Sequence, residues 1–153
     1  MTTMRIYDGS HGALAFDLSD LIDLLAPRSL EASWTVSPVR LADEDVGCLD
    51  EFMVTGPGQP QSALALEVLV ASRSPVDGMA LSEAADAADQ VIWGQFIATL
   101  PDQSDPWIDI RAIDGTFFEV TTSDEAVLDA IRTAFRDVRV AAGPTDSTPI
   151  PPV

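Results

Sequence analysis

The sequence predicts an α+β fold: an antiparallel sheet of about five to six strands, with helices packed mainly on one face, ending in a strand-strand-strand-helix unit. Three observations carry this expectation. Val91 to Leu100 is rich in β-branched and aromatic residues and stops at Pro101, as a strand does. Asp114-Gly115 lies between two apolar runs, a hairpin signal, because both central positions of a type I′ turn need positive φ. Val127, Leu128, Ile131, Ala134, Phe135 and Val138 then recur at spacings of three and four, the stripe of an amphipathic helix that covers a sheet.

From the N-terminus, a short strand is expected at Arg5 to Tyr7, a loop from Asp8 to Gly12 and a second strand at Ala13 to Phe16. Leu18, Leu21, Ile22, Leu24 and Leu25 form a helical stripe ended by Pro27, with Asp17, Asp20 and Asp23 on the wet side. A strand from Leu30 to about Val36 follows, and Pro38 marks an edge or a bulge. Asp43 to Glu51 holds five acids and no base, so it reads as an exposed connection before a strand at Phe52 to Thr55. Gly56-Pro57-Gly58-Gln59-Pro60 breaks the chain. Ser62 to Ser72 reads as a helix on its Ala and Leu content and its Ser62 cap, although Leu64, Leu66, Val68 and Val70 alternate as in a strand. Met79 to Ala88 reads as a short Ala-rich helix after the Asp77-Gly78 turn.

The closing unit runs through strands at Val91 to Leu100, Trp107 to Ile113 and Phe117 to Thr122. Ser123 caps the final helix, Asp124 and Glu125 complement its dipole, and Arg132, Arg136 and Arg139 fall near its C-terminal end. Gly143 to Val153 contains four prolines and no periodicity. The expected organisation is one domain over 1–140 and a disordered Pro-rich tail over 141–153.

Charge narrows the function classes. Twenty-five acids face eight bases, all of them Arg, for a net charge of −17; such a field repels phosphate polymers and anionic lipid, so neither nucleic acid nor membrane is an expected partner. The apolar fraction of 46% matches a globular chain, not a disordered one. Cys48 is the only cysteine, which excludes an internal disulfide and a cysteine-rich zinc site. Met1 to Gly9 has neither the basic segment nor the apolar run of a signal peptide, and a reducing cytoplasm is the expected location.

No catalytic constellation emerges, and no catalytic residue, metal site or cofactor is expected. His11 is the only histidine and has only Asp8 and Ser10 as local companions, too few for a closed metal site. Gly9-Ser10-His11-Gly12 lacks the spacing of a nucleophile elbow. The Asp43-Glu44-Asp45 cluster has Gly47 and Leu49 where an EF-hand needs oxygen ligands. Acidic neighbours disfavour the Cys48 thiolate, and a chain without Lys holds no Walker loop. An enzyme built on carboxylates would draw first on Asp8, His11, Asp114 and Glu119.

A binding role is the leading reading. The acids Asp43, Glu44, Asp45, Asp50 and Glu51, those at Glu83, Asp86 and Asp89, and the loop acids Asp102 and Asp105 would attract a basic protein partner, as in an immunity, antitoxin or inhibitor protein. Trp93 and Trp107, on adjacent expected strands, would meet across the ladder as core or as an apolar centre for that partner. The alternative is an accessory domain that forms a homodimer through its aromatic strand face, its acidity serving only solubility.

Overall fold

The computed structural model describes residues 1–10, 13–43, 47–55 and 66–142. In chain order the elements are β1 (Thr2–Ile6), β2 (Gly9–Ser10), β3 (Ala13–Leu14), α1 (Leu18–Leu24), α2 (Arg28–Glu31), β4 (Ser33–Ser37), β5 (Val39–Asp43), β6 (Gly47–Glu51), β7 (Met53–Thr55), α3 (Leu66–Ser72), β8 (Val76–Asp77), α4 (Gly78–Ala87), β9 (Gln90–Thr99), β10 (Ile108–Ile113), β11 (Phe117–Thr122), α5 (Glu125–Ala134) and β12 (Val138–Ala141). The fold is α+β, built on one eight-stranded antiparallel sheet in the order β12-β1-β11-β10-β9-β4-β8, with β7 also on β9. The strand count exceeds the five to six expected. The expected closing unit of three strands and a helix is also followed by β12, which returns to pair with β1.

The β10–β11 turn forms as its dipeptide dictates: Asp114 and Gly115 have φ of 53° and 64°, and the Thr116 N–H donates to the Ile113 carbonyl. Gly115 also donates to Ile92 on β9, so this hairpin occupies one edge of β9. The other edge is shared, with β4 opposite 95–99 and β7 opposite 90–93.

Alternation along these strands creates two faces. One carries the cross-strand rows Met4–Val120–Ile110–Phe96–Val36 and Ile6–Phe118–Ala112–Gly94. These residues join Leu18, Leu21 and Ile22 of α1, Leu66 and Leu69 of α3, Leu81, Ala84 and Ala85 of α4, and Val127, Leu128 and Ile131 of α5 in one core. Packing is close enough that a Cβ on Gly78 would lie 2.0 Å from the Ser29 carbonyl oxygen and 2.6 Å from the Leu30 Cα, so only glycine lets α4 start against α2.

The opposite face carries the rows Arg139–Arg5–Glu119–Arg111–Gln95–Ser37 and Ala141–Thr3–Thr121–Asp109–Ile97–Thr35. Strands β5 and β6 pair only with each other, and β5 lies against β9 and β10. Val39 and Ile113 are buried outside the main core, which places the hairpin on this second face.

Several expected boundaries move for identifiable reasons. Leu30 belongs to α2, not to a strand, and β4 begins at Ser33. Asp43 and the span 47–51 are hairpin strands where a connection was expected; the acids mask a strand alternation over so short a span. Asp124, not Ser123, caps α5, its side chain accepting from the Ala126 N–H. That helix stops at Ala134 with Phe135 as its C-cap, where Phe135 packs on Phe16 at 4.7 Å between ring centres. Val138 and Arg139 therefore lie in β12, outside the helix. The helical reading of Ser62 to Ser72 is met by α3 over 66–72, while 62–65 and the Pro-rich stretch 143–153 lie outside the described residues.

Candidate partner-binding surface

The surface is best built from its arginines, because cations decide which carboxylates remain uncompensated. Six of the eight arginines form ion pairs among the described residues: Arg5–Glu119 (2.9 Å), Arg28–Asp124 (2.6 Å), Arg40–Asp50 (3.2 Å), Arg111–Asp109 (3.5 Å), Arg132–Asp129 (3.2 Å) and Arg139–Asp137 (3.0 Å). The helical layer gains little from them. Its acids Asp20, Asp23, Glu31, Glu67, Glu83, Asp86 and Asp89 are all exposed, while Arg28 of α2 is committed to Asp124 and stacks on Trp107 at 4.8 Å.

Helices α1 and α4 pack together. Between the start of α1 and the link from α4 to β9 lies an open cleft of about 310 Å³, lined by Asp17, Ser19, Asp20, Asp89 and Gln90 among others. Asp17 precedes α1 and spans two elements: its Oδ1 accepts from the Val91 N–H at 3.0 Å, and its own N–H donates to the Asp20 carboxylate at 2.8 Å. Its Oδ2 is buried with no hydrogen-bond partner among the described residues. Burial pushes the Asp17 carboxyl up to about 6, with the nearby Asp20 charge adding to the rise and backbone bonds opposing it.

The acids singled out in the sequence are only partly brought together. Glu83 and Asp86 are exposed on α4, and Asp89 borders the cleft. Asp102 and Asp105 are exposed beyond the far end of β9, a ten-residue strand that separates them from Asp89 by about 30 Å; the two groups do not form one patch. Asp50 is exposed and paired with Arg40, and Glu51 is half-buried at the end of β6. Asp43 lies in β5, whereas Glu44 and Asp45 fall outside the described residues, as does His11.

The tryptophans do not meet. Ile108 faces Ala98 and Ala112 faces Gly94, so Trp107 and Trp93 sit at opposite ends of the β9–β10 ladder. Trp107 is buried and donates from Nε1 to Asp124 at 2.9 Å. Burial works against the Asp124 carboxylate, but the bonds from Trp107, Arg28 and Ala126 outweigh it and hold it below the ordinary range. Trp93 is half-buried opposite Met53, itself 51% exposed.

Sequence reasoning missed the charged row on the second face. Glu119 is fully buried and bonded to Arg5; Arg111 is buried beside Asp109, which also accepts from Gln95. Burial holds the Asp109 carboxyl above its ordinary range against the pull of Arg111 and Gln95. The only signal was position: charges at alternate sites within β-rich runs.

Comparison with protein-family models, with curated proteins and with solved structures finds no match. The site must therefore speak through its own chemistry. The carboxylates named for an enzyme are in separate roles: Asp8 accepts from the Arg136 and Asp137 backbone N–H groups, Asp114 sits exposed in the turn, and Glu119 is ion-paired within the sheet. Among the described residues no group of three or more His, Cys, Asp and Glu side chains is placed to hold a metal ion, and no helix is long and apolar enough to cross a membrane.

Proposed function

We propose that the protein is a non-catalytic binding module whose acidic helical layer docks on a basic protein surface, as an inhibitor, antitoxin or immunity protein would cover a cationic site. The observation that carries this reading is the pairing of six arginines within the fold, which leaves Asp20, Asp23, Glu83, Asp86 and Asp89 exposed without a matching number of cations in their layer. Such a surface accelerates encounter with a cationic partner and loses that advantage as salt screens it.

The test is affinity capture from the native host at low and high salt, using the wild-type chain and a Glu83→Gln, Asp86→Asn, Asp89→Asn variant. A basic protein held by the wild type at low salt, and released both by salt and by the three substitutions, is the expected result. No basic partner, or equal capture by the variant, overturns the proposal.

A second reading, a symmetric homodimer, draws on the exposed edge strand β12, where Val140 is 70% exposed. A concentration-independent monomer mass in light scattering removes it.

A further inference from the structure

We propose that two copies of the chain pair β12 with β12 across a two-fold axis centred on Val140, so that one antiparallel sheet runs through both. This rests on the homodimer reading and adds its geometry. The two ends of the sheet are guarded differently. At one end β8 is only two residues long, and so short an edge offers little to a partner strand. At the other, β12 has four residues, and among the described residues β1 is the only strand paired with it. The Tyr7 N–H donates to the Asp137 carbonyl, which sets the alternation of the ladder: Arg139 and Ala141 turn their N–H and C=O groups to β1, and Val138 and Val140 turn theirs outward. A charged side chain commonly blocks such an edge, but Arg139 lies over the Tyr7 ring at 4.0 Å and pairs with Asp137.

Charge selects the occupant. Arg5, Arg132, Arg136 and Arg139, half of the chain's arginines, lie on β1, on α5 and along the run into β12. Asp8, Glu119, Asp129 and Asp137 bond to this group and offset it, so the edge is close to neutral in a chain of −17. Two copies repel each other least here, while a basic partner is drawn to the helical layer instead.

Few registers suit a two-fold pairing. Centred on Val138, it would need the Arg136 N–H, which Asp8 already holds. Centred on Arg139, it would set like charges directly opposite. Centred on Ala141, it would set Val138 opposite Pro144, which has no N–H to give. Centred on Val140, it engages the outward groups of Val138, Val140 and Ala142 together. Val140, 70% exposed beside the buried Met4, then closes on its own copy, and the apolar row Val120–Met4–Val140 continues into the second molecule.

Light scattering of the full chain over a concentration series tests this. The wild type should pass from monomer to dimer as concentration rises. Val140→Lys, which sets like charges at the axis, and Val140→Pro, which removes an N–H that β1 does not use, should each weaken the dimer about tenfold or more, whereas Met79→Lys at an exposed site on α4 should not. Under mild oxidation in a Cys48→Ser background, Val140→Cys should form a covalent dimer, since the residues of a hydrogen-bonded pair lie about 5.5 Å apart at Cα, and Val138→Cys should not. A mass that stays monomeric at every concentration overturns the homodimer reading and this proposal together. A dimer that ignores both Val140 substitutions overturns the pairing at β12 alone, and a covalent dimer formed as readily through position 138 as through 140 overturns the register.

Discussion

The two faces of the sheet are made from alternate residues of the same strands, yet they are covered in different ways. Phe96 and Ile97 are neighbours on β9; the first is fully buried in the shared core of the helices, and the second stands half-buried in the row of Thr121, Asp109 and Thr35. Apolar burial against helices supplies the stability. The second face replaces apolar contact with ion pairs and hydroxyl bonds, such as the 2.8 Å contact between the Thr3 and Thr121 hydroxyls. Net stabilisation from such pairs is small, but removing one partner is expensive, since the other is left buried. One face therefore governs how stable the fold is, and the other governs how tolerant it is of change.

The sharpest way to break this contrast is to truncate the two neighbours. Phe96→Ala should lower the unfolding free energy by about 3–5 kcal/mol, and Ile97→Ala by about 1 kcal/mol, as read by urea denaturation. Equal losses would mean that both faces share the apolar load.

The next effect belongs to the polar face. Glu119→Ala leaves Arg5 and Arg111 without their shared neighbour and should cost about 3 kcal/mol, while Arg5→Met with Glu119→Leu should return to within about 1 kcal/mol of the wild type. A double variant as unstable as the single one would show that apolar side chains cannot replace this network.

The smallest effect sharpens the role of Asp17 at the border of the helical layer. Its folded pKa of about 6 lies above the ordinary aspartate value, so the native state holds the proton more tightly than the unfolded chain. The stabilisation is fully present below about pH 4 and is lost as pH rises through about 6, amounting to about 1–2 kcal/mol once solvent access to a half-buried carboxylate is allowed for. Urea midpoints should fall across that window in the wild type, and Asp17→Asn should flatten the slope. An unchanged slope would assign the pH dependence to the general self-repulsion of a −17 chain.

The same division explains what could be read from the chain. Strand β9, the Asp114–Gly115 turn, α1 and α4 were legible because alternation, turn dipeptides and helical stripes act over a few residues. So was the surplus of acid, although not its place: the sequence could not say that Asp89 and Asp102 lie at opposite ends of β9, or that six arginines are spent on internal pairs. Of the helix acids and loop acids expected to form one negative patch, Glu83, Asp86 and Asp89 belong to the helical layer, and Asp102 and Asp105 lie apart from them.

By itself, the sequence determined the fold class, most of the elements and the sign of the surface field. Tertiary structure alone decided that 39–51 folds back over the polar face and that Val138–Ala141 leaves the helical period to pair with β1. It also decided that the Asp8 carboxylate accepts from the Arg136 N–H, 128 residues away. Those outcomes depend on strands and side chains that meet only once the chain has closed on itself, and no local period encodes which distant partner offers the unpaired hydrogen-bonding edge.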